Sequence, residues 1–404
     1  MPKHLLLFAA STGYQIRVFA EAAERLGVDV TLVSDHCDRM EELWGHRAIA
    51  VKFDRMAAAV DAVRGEDADG VAAVGDLPAV LAAEAAEAMG VAFHPAAAAR
   101  ACHDKYLARQ LYQAAGMLLP RFFRAALDED SRTLAARAPY PCVLKPLGLS
   151  ASRGVIRADS AAEFVVAFER IRKIGEKHLQ VESYIPGKEF AVEGLVTEGR
   201  FQPLALFDKP DPLEGPFFEE TIYVTPSREP EAVKQALLDT AAQAVRALGL
   251  RHGPVHAELR YNERGACILE THARPIGGLC ARALRFGSQP LEELILRHAL
   301  GEDVSQARLD GPASGVMMIP IPKGGIYQSV EGVDRAARVA GIEDVVITAK
   351  EGQRFVPLPE GSSYLGFLFA RGDSPGMVET ALRQSHAELK FHIATALETF
   401  RPSP

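Results

Sequence analysis

The chain has 404 residues, of which 48% are hydrophobic and 24% charged, and its formal net charge is −8. This composition predicts a soluble globular protein of roughly two to four domains. The negative charge and the absence of a long Lys/Arg run argue against a nucleic-acid partner. No apolar run is long enough to cross a membrane, and the apolar start is too short for a secretion signal. Five cysteines without a C-x-x-C pair indicate a reduced, cytoplasmic protein.

The first part of the chain alternates predicted strands and helices. Such alternation implies a parallel sheet whose ligand chemistry lies at the carboxyl ends of the strands. The loop Ser11-Thr12-Gly13-Tyr14 follows one such end, where it either contacts substrate or only caps the next helix. Strands are predicted at residues 4–9, 28–33 and 70–74, and helices at 15–26 and 79–89, each helix ending at a glycine.

A lysine followed by a loop of small residues predicts a phosphate site. Lys145 ends an apolar, strand-like run, and residues 146–154 contain Ser150 and Ser152 before a second such run. Backbone N–H groups in such a loop can approach phosphate closely, while the hydroxyls and Lys145 add donors and positive charge. The segment is neither a Walker loop nor a dinucleotide fingerprint, and an ordinary turn is the alternative.

A strand, a Pro-Gly turn and another strand are predicted over residues 178–196. Main-chain groups at the end of the first strand are suited to pair with an adenine edge. Glu189, just past the turn, is suited to accept hydrogen bonds from ribose hydroxyls. The alternative is that Glu182 and Glu189 are merely exposed strand residues.

Two carboxylates are predicted to lie side by side on a hairpin. Glu258 and Glu270 flank the turn Asn262-Glu263-Arg264-Gly265, and strand alternation points both into one cleft. Hard oxygen ligands beside phosphate suit Mg²⁺. Arg274 adds a positive charge at the same place. The alternative is a surface hairpin whose charges are solvated.

The remaining segments predict a lid and a third domain. Residues 207–220 contain three prolines and are predicted to be an irregular, ligand-contacting loop whose acidic Glu219 and Glu220 are suited to an ammonium group. Residues 96–99 are a linker or a helix start. Helices are predicted at 106–115, at 232–248 and from Ser374-Pro375 onward, and strands at 316–320, 345–348 and 364–370.

Taken in order, these motifs resemble those of the ATP-grasp superfamily. The residues that carry the resemblance are Lys105 in His-Asp-Lys, Lys145 with its loop, the stretch from Glu182 to Glu189, and Glu258 with Glu270 and Arg274. His256, the sequence Arg274-Pro-Ile-Gly-Gly and the stretch from about residue 305 resemble the L-amino acid ligases, a subgroup of carboxylate–amine ligases. The implied fold is α/β and α+β: a Rossmann-like N-terminal domain (1–94), an ATP-grasp domain of two α+β subdomains (95–304) and a C-terminal α+β ligase-type domain (305–404).

The resemblance implies ATP and two Mg²⁺ ions, with Mn²⁺ as a substitute. Glu258 and Glu270 would hold the metal, and Arg274 would stabilise the transferring phosphoryl group. Lys105 and Lys145 would contact the phosphates, Ser183 and Ile185 the adenine through main-chain atoms, and Glu189 the ribose. The implied nucleotide contacts are Lys105, Lys145, Ser150, Ser152, Glu182, Ser183, Ile185 and Glu189.

Two histidines are predicted to take part in the chemistry. Many members of the superfamily carry Asn two residues after the second metal Glu, where this chain has His272. Imidazole is a weaker Mg²⁺ ligand than an amide oxygen, so either the second metal is held differently or His272 faces the substrate. His256 and His272 are both candidates to accept the proton of an attacking amine, and a structural hydrogen bond is the alternative for each.

The resulting hypothesis is an ATP-dependent ligase that joins a small carboxylate and an amine through an acyl phosphate. A carboxylase-type or purine-pathway ligase, or a non-catalytic ATP sensor, are the alternatives. The substrates would be small molecules, and a homodimer is compatible with the resemblance. The sequence specifies neither the substrates nor the oligomeric state.

Overall fold

The computed structural model describes residues 2–10, 14–35 and 47–395. Residues 11–13 of the predicted substrate loop lie outside this range. The chain divides into two compact units: the first contains Met1–Pro120, Ile185–Asp208 and Thr225–Gly311, and the second contains Arg121–Tyr184, Lys209–Val224 and Pro312–Pro404. The domain boundaries drawn from the sequence remain a prediction.

Strands and helices are numbered here along the described residues. The strands are β1 (His4–Ala9), β2 (Asp29–Ser34), β3 (Ala48–Ala50), β4 (Gly70–Val74), β5 (Phe122–Ala126), β6 (Cys142–Pro146), β7 (Ile156–Ala158), β8 (His178–Ser183), β9 (Lys188–Thr197), β10 (Arg200–Lys209), β11 (Ile222–Thr225), β12 (Gly253–Asn262), β13 (Gly265–His272), β14 (Arg285–Phe286), β15 (Gln289–Pro290), β16 (Ala313–Ile319), β17 (Gly325–Glu331), β18 (Ile342–Ile347), β19 (Arg354–Phe355), β20 (Gly366–Gly372) and β21 (Lys390–Ala394). The helices are α1 (Ile16–Leu26), α2 (Met56–Val63), α3 (Asp76–Met89), α4 (Ala96–His103), α5 (Lys105–Ala114), α6 (Ser131–Arg137), α7 (Ala161–Arg172), α8 (Glu231–Leu248), α9 (Leu291–Ala299), α10 (Val333–Ala337) and α11 (Pro375–Ala387), with a short 3-10 helix at Cys280–Ala283.

The first unit begins with the predicted parallel sheet. Its strand order is β3-β2-β1-β4, and β1 pairs in parallel with both β2 and β4. Because β1 and β4 are neighbours and parallel, the segments that follow them leave the same edge of the sheet. Those segments lead to Gln15, just before α1, and to Asp76, the first residue of α3. The parallel N-terminal sheet predicted from the sequence is confirmed.

The same unit contains an antiparallel sheet that carries most of the candidate site. Within this unit its strands have the order β13-β12-β9-β10, with β12 antiparallel to both β13 and β9. The turn between Ile185 and β9 requires Gly187, because its φ is +118° and a Cβ there would collide with the carbonyl of Tyr261. Helix α8 buries Leu237, Ala241, Ala244 and Val245 in the same core as β9 and β12. Residues 96–99 begin helix α4, so the helix-start alternative holds there.

The second unit contains three antiparallel arrangements of strands. One sheet has the order β5-β8-β6-β7 and shares a core with the buried Phe164 and Phe168 of α7. The others contain β11-β16-β20-β18 and β19-β17-β21, whose core includes Val378 and Leu382 of α11. Helix α11 begins as predicted, with Pro375 in the first turn and the Ser374 hydroxyl capping the amide of Met377. The mixed α/β and α+β architecture is therefore confirmed.

The prediction of an irregular segment at 207–220 is wrong at its start. Residues 207–209 are the end of β10, and Phe207 is fully buried. The first proline of the segment is Pro210, so nothing in 207–209 prevents strand pairing, and burial of Phe207 favours it. No helix among the described residues is long and apolar enough to cross a membrane.

Three histidines cluster at the start of β12 in the first unit: His94 and His298 are buried, and His252 is half-buried. The rings of His252 and His298 stack with their centroids 4.1 Å apart, and the Nε2 atom of His298 lies 2.8 Å from the Thr197 hydroxyl. His94 lies nearby, 3.0 Å from the carbonyl of Pro254. Burial lowers the pKa of His94 to about 4 and, with the adjacent His252 and His94, lowers that of His298 to about 4. The cluster is therefore neutral near physiological pH.

Neutral buried histidines predict acid-sensitive stability. In the unfolded chain a histidine has a pKa of about 6.5, so between about pH 6.5 and about pH 4 the unfolded chain binds more protons than the folded cluster does. The free energy of unfolding is therefore unaffected by these histidines above about pH 6.5. It falls as the pH drops toward about 4, by up to about 1.4 kcal/mol per pH unit for each histidine. In urea titrations, His298→Gln should reduce the loss of unfolding free energy between about pH 7 and about pH 5. An unchanged loss would contradict this assignment, since pH-independent packing effects cancel in the difference.

Candidate active site

One face of the antiparallel sheet in the first unit is lined by polar side chains. Alternation places His256, Glu258 and Arg260 of β12 on the same face, beside Glu189 and Glu193 of β9. His256 pairs in register with Glu193, and Arg260 with Glu189, while Glu258 lies opposite the small Ala191. On the other side of β12, Glu258 pairs with Glu270 and His256 with His272.

The predicted pair of carboxylates is present. Glu258 and Glu270 are directly opposite each other in the β12–β13 ladder, with side chains 19% and 21% exposed. The Nζ atom of Lys105, the first residue of α5, lies 3.5 Å from Glu270 Oε2. Two carboxylates in register, with partial access to solvent, are a hard oxygen donor set of the kind that binds Mg²⁺. The residues present therefore fit the implied metal.

His256 bridges two carboxylates. Its Nδ1 atom hydrogen-bonds Glu193, and its Nε2 atom lies 3.2 Å from Glu258 Oε1. Burial alone would lower the pKa of His256, but the negative charges of Glu193 and then Glu258 outweigh it and raise this pKa to about 9. His256 is therefore protonated at neutral pH. Glu193 also accepts a hydrogen bond from the amide of Ile276, 3.1 Å away, which ties β9 to the segment after β13.

Asp76 binds both of the remaining candidate catalytic residues. It accepts from His272 Nδ1 at 2.8 Å, and from Arg274 Nε and Nη2 at 2.8 and 3.1 Å. Burial works to raise the pKa of Asp76, but Arg274 and then His272 hold it well below its usual range. The Nε2 atom of Gln15 donates to the carbonyl of Ile276 at 2.5 Å. The carboxyl edge of the parallel sheet thus contacts the 272–276 segment at two points.

In the second unit, Lys145 and Glu182 form a buried ion pair. Lys145 Nζ lies 2.5 Å from Glu182 Oε1, and Gln180 Nε2 donates to Glu182 Oε2 at 2.9 Å. Lys145 is 7% exposed and Glu182 only 2%. The alternative that Glu182 is an exposed strand residue is therefore wrong, because the antiparallel β6–β8 pairing buries it beside Lys145.

The loop after β6 is anchored at its end within the second unit. The amide of Gly154 donates to Pro359 O at 2.8 Å, and the amides of Arg153 and Val155 donate within the loop. Ala151 and Ser152 have positive φ angles of +53° and +55°, an unusual conformation for residues other than glycine. Ser152 thus lies in the strained part of the loop, and Ser150 accepts a hydrogen bond from the amide of Arg153.

The predicted adenine and ribose contacts have protein partners. Within the second unit, Ser183 uses its amide and its hydroxyl to bind the backbone of Arg121. In the first unit, Arg260 donates to Ile185 O and to Glu189 Oε2, both at 2.8 Å. Glu189 is only 7% exposed, so the alternative of an exposed strand residue is wrong for it as well. Glu220, predicted to receive a substrate ammonium group, forms an ion pair with the ammonium group of Lys209.

Three residues of the site were not predicted from the sequence: Asp76, Glu193 and Arg260. Strand alternation could have revealed two of them. Glu193 lies an even number of positions after Glu189 on β9, and Arg260 lies an even number after Glu258 on β12, so each shares a face with a predicted site residue. Asp76 follows a predicted strand of a parallel sheet, which is where such folds bind ligands. Its partners are about two hundred residues away along the chain, and no local pattern shows them.

Comparison with known proteins agrees with this geometry. A model of the ATP-grasp domain matches residues 138–283, and a model of the L-amino acid ligase C-terminal domain 2 matches residues 317–394. The chain therefore contains an ATP-grasp domain and an L-amino acid ligase C-terminal domain, which confirms the superfamily predicted from its sequence.

Individual relatives are distant. The crystal structure of the L-amino acid ligase from Bacillus licheniformis superposes with a TM-score of 0.81 at 26% identity, covering 97% of this chain and 99% of that one. Alanine–anticapsin ligase of Bacillus subtilis is 28% identical over 48% of this chain and 46% of its own length. A D-alanine–D-alanine ligase of Aromatoleum aromaticum is 30% identical over 37% of this chain and 48% of its own. The chain thus spans about half the length of these two curated relatives.

Proposed function

We propose that this protein is an ATP-dependent carboxylate–amine ligase that joins an amino acid, or a similar acid, to an amine. The observation that carries the proposal is the arrangement in the first unit: paired Glu258 and Glu270, with Lys105 beside Glu270 and Arg274 fixed by Asp76. The ligase relatives support the same class of reaction.

The chemistry explains why positive charge is needed at this place. A substrate carboxylate oxygen attacks the γ-phosphorus of ATP, the bond to the bridging oxygen breaks, and ADP leaves. The acyl phosphate is then attacked at its carbonyl carbon by the amine, the carbon–oxygen bond breaks, and phosphate leaves. Both reactants of the first step are anions, so Lys105 and Arg274 lower the barrier by offsetting their repulsion.

We keep the nucleotide contacts predicted from the sequence, except that Glu182 is assigned to position Lys145. We assign phosphate contacts to Lys145, Ser150 and Ser152, and we assign to Glu182 the positioning of Lys145 through the ion pair. Adenine contacts remain with Ser183 and Ile185, and the ribose contact with Glu189. Mg²⁺, when bound, would neutralise phosphate charge, and Glu258 and Glu270 would hold it.

Two histidines were predicted as acceptors of the amine proton, and they differ in their charge and partners. A proton acceptor must have a free lone pair at neutral pH, and His256, with a pKa of about 9, does not. We therefore assign His256 to positioning Glu193 and Glu258. His272 keeps the predicted role of proton acceptor only if its Nε2 atom has no other partner during the reaction.

A phosphate-release screen tests the proposal. The full chain is incubated with ATP, Mg²⁺ and amino acids, singly and in pairs, and the products are analysed by mass spectrometry. Phosphate release that requires an acid and an amine, with an amide product, supports the ligase. Release that requires bicarbonate or a ribotide would select a carboxylase or purine-type ligase instead. Tight ATP binding without turnover would select a sensor.

A further inference from the structure

His272 is held with one ring nitrogen committed. It ends β13, is 5% exposed, and its Nδ1 atom lies 2.8 Å from Asp76 Oδ1. Both carboxylate oxygens of Asp76 also face donors of Arg274, at 2.8 and 3.1 Å, so this carboxylate acts as an acceptor. The Nδ1 atom of His272 must therefore carry a proton, and in the neutral ring the lone pair lies on Nε2.

That lone pair faces the proposed metal residue. His272 Nε2 is 3.5 Å from Glu270 Oε2. A neutral nitrogen lone pair and a carboxylate oxygen repel each other at this distance unless a proton or a metal ion lies between them. The carboxylate–histidine–metal arrangement, in which one ring nitrogen binds a carboxylate and the other a metal, is common in metalloproteins and has this geometry. Lys105 Nζ lies 3.5 Å from the same Glu270 oxygen, so one positive group of the protein already lies beside this carboxylate.

We propose that His272 is a nitrogen ligand, through Nε2, to a divalent ion held by Glu270, and that Asp76 is the positioning residue that fixes its tautomer. The inference rests on the metal role that the proposed function gives to Glu270. Mg²⁺ prefers oxygen ligands, whereas first-row transition ions also accept imidazole. The mixed pair of Glu270 and His272 therefore favours Mn²⁺ over Mg²⁺.

Ligation and proton acceptance exclude each other for His272, because both use the Nε2 lone pair. A single spectroscopic measurement therefore separates the two roles. Pulsed electron paramagnetic resonance of Mn²⁺ detects a directly bound nitrogen through its hyperfine coupling, independently of turnover. The full chain is studied with Mn²⁺ and ADP, and the Mn²⁺–ADP complex without protein gives the baseline for the adenine nitrogens.

The parent protein should show a protein nitrogen bound to Mn²⁺. His272→Asn should abolish that coupling and weaken Mn²⁺ binding by roughly tenfold or more, while Mg²⁺ affinity changes little. Asp76→Asn should weaken Mn²⁺ binding by roughly ten- to a hundredfold, although residue 76 would not touch the ion. The matched control is His256→Asn, which removes a histidine beside Glu258 and should leave the nitrogen coupling in place.

The possible failures are distinguishable. Mn²⁺ that binds without a protein nitrogen, or a coupling that survives in His272→Asn, overturns the inference and leaves the proposed ligase intact. In that case an imidazolium paired with Glu270 accounts for the geometry. A protein that binds ADP but no Mn²⁺ in its presence overturns both the inference and the metal role of Glu270.

Discussion

Replacing Arg274 by Ala is expected to lower kcat by at least about a hundredfold while ATP affinity stays within a few-fold of the parent, the pattern of a lost transition-state interaction. The Arg274 guanidinium is proposed to meet charge that develops on the transferring phosphoryl group. Lys105 and Lys145 remain in the variant for ground-state phosphate contacts. ATP binding would be measured by calorimetry and turnover by phosphate release, on one preparation.

Arg274→Lys is the control for charge. A lysine keeps the positive charge beside Asp76 but cannot reproduce the two parallel hydrogen bonds from Nε and Nη2, so it should restore activity only in part. Thermal melting of both variants is needed, because Ala leaves Asp76 with fewer partners. If ATP affinity falls together with kcat in a folded Arg274→Lys protein, Arg274 is a ground-state binding residue and the catalytic role is wrong.

Glu270→Gln is expected to reduce turnover by at least about a hundredfold, because it removes one of the two charges proposed to face the metal. The fold should survive, since the side chain is partly exposed and Gln has nearly the same size. Turnover and metal affinity would be measured at several Mg²⁺ concentrations, with circular dichroism as the check on folding.

The matched control lies on the same hairpin. Glu263 is an exposed carboxylate in the turn between β12 and β13, and Glu263→Gln removes the same charge without approaching Glu258. It should retain activity close to that of the parent. Equal losses in both variants would point to a general effect of net charge, and near-normal turnover in Glu270→Gln would remove the metal assignment.

Local patterns predicted the parts of the site that depend on local geometry. The β12–β13 hairpin was predictable because its turn is short and flanked by strand-like runs. Its exact register was not, because regular pairing from the turn would place Leu269 opposite Glu258, and a β-bulge shifts the partner of Glu258 to Glu270. Lys145 and the loop after it were predictable for a similar reason: an apolar run ends at a lysine, and small residues follow. The ends of α1, α3 and α8 were marked by Gly27, Gly90 and Gly249, each in the left-handed conformation.

Long-range polar contacts were not predictable. Asp76 joins His272 and Arg274 because the first residue of α3 meets the end of β13 within the first unit, and hydrogen bonds of this kind leave no periodic signal. The burial of Glu182 and Glu189 depended equally on partners: Lys145 and Arg260 neutralise charges that would otherwise keep these residues at the surface. The pKa of His256 depends on partners in the same way, because the charges of Glu193 and Glu258 outweigh the effect of burial and raise it, which is why we assign His256 to positioning.

The central claim is that a substrate carboxylate is activated by phosphorylation, and transfer of an oxygen label tests it most directly. The acid identified by the screen is labelled in its carboxylate with the heavy isotope of oxygen and turned over with ATP and the amine. If an acyl phosphate forms, the carboxylate oxygen that attacks phosphorus stays with it when the amine breaks the carbon–oxygen bond. Mass spectrometry should then find one labelled oxygen in each phosphate released, a count fixed by the bond changes of the proposed mechanism. Unlabelled phosphate released together with an amide product would contradict the account.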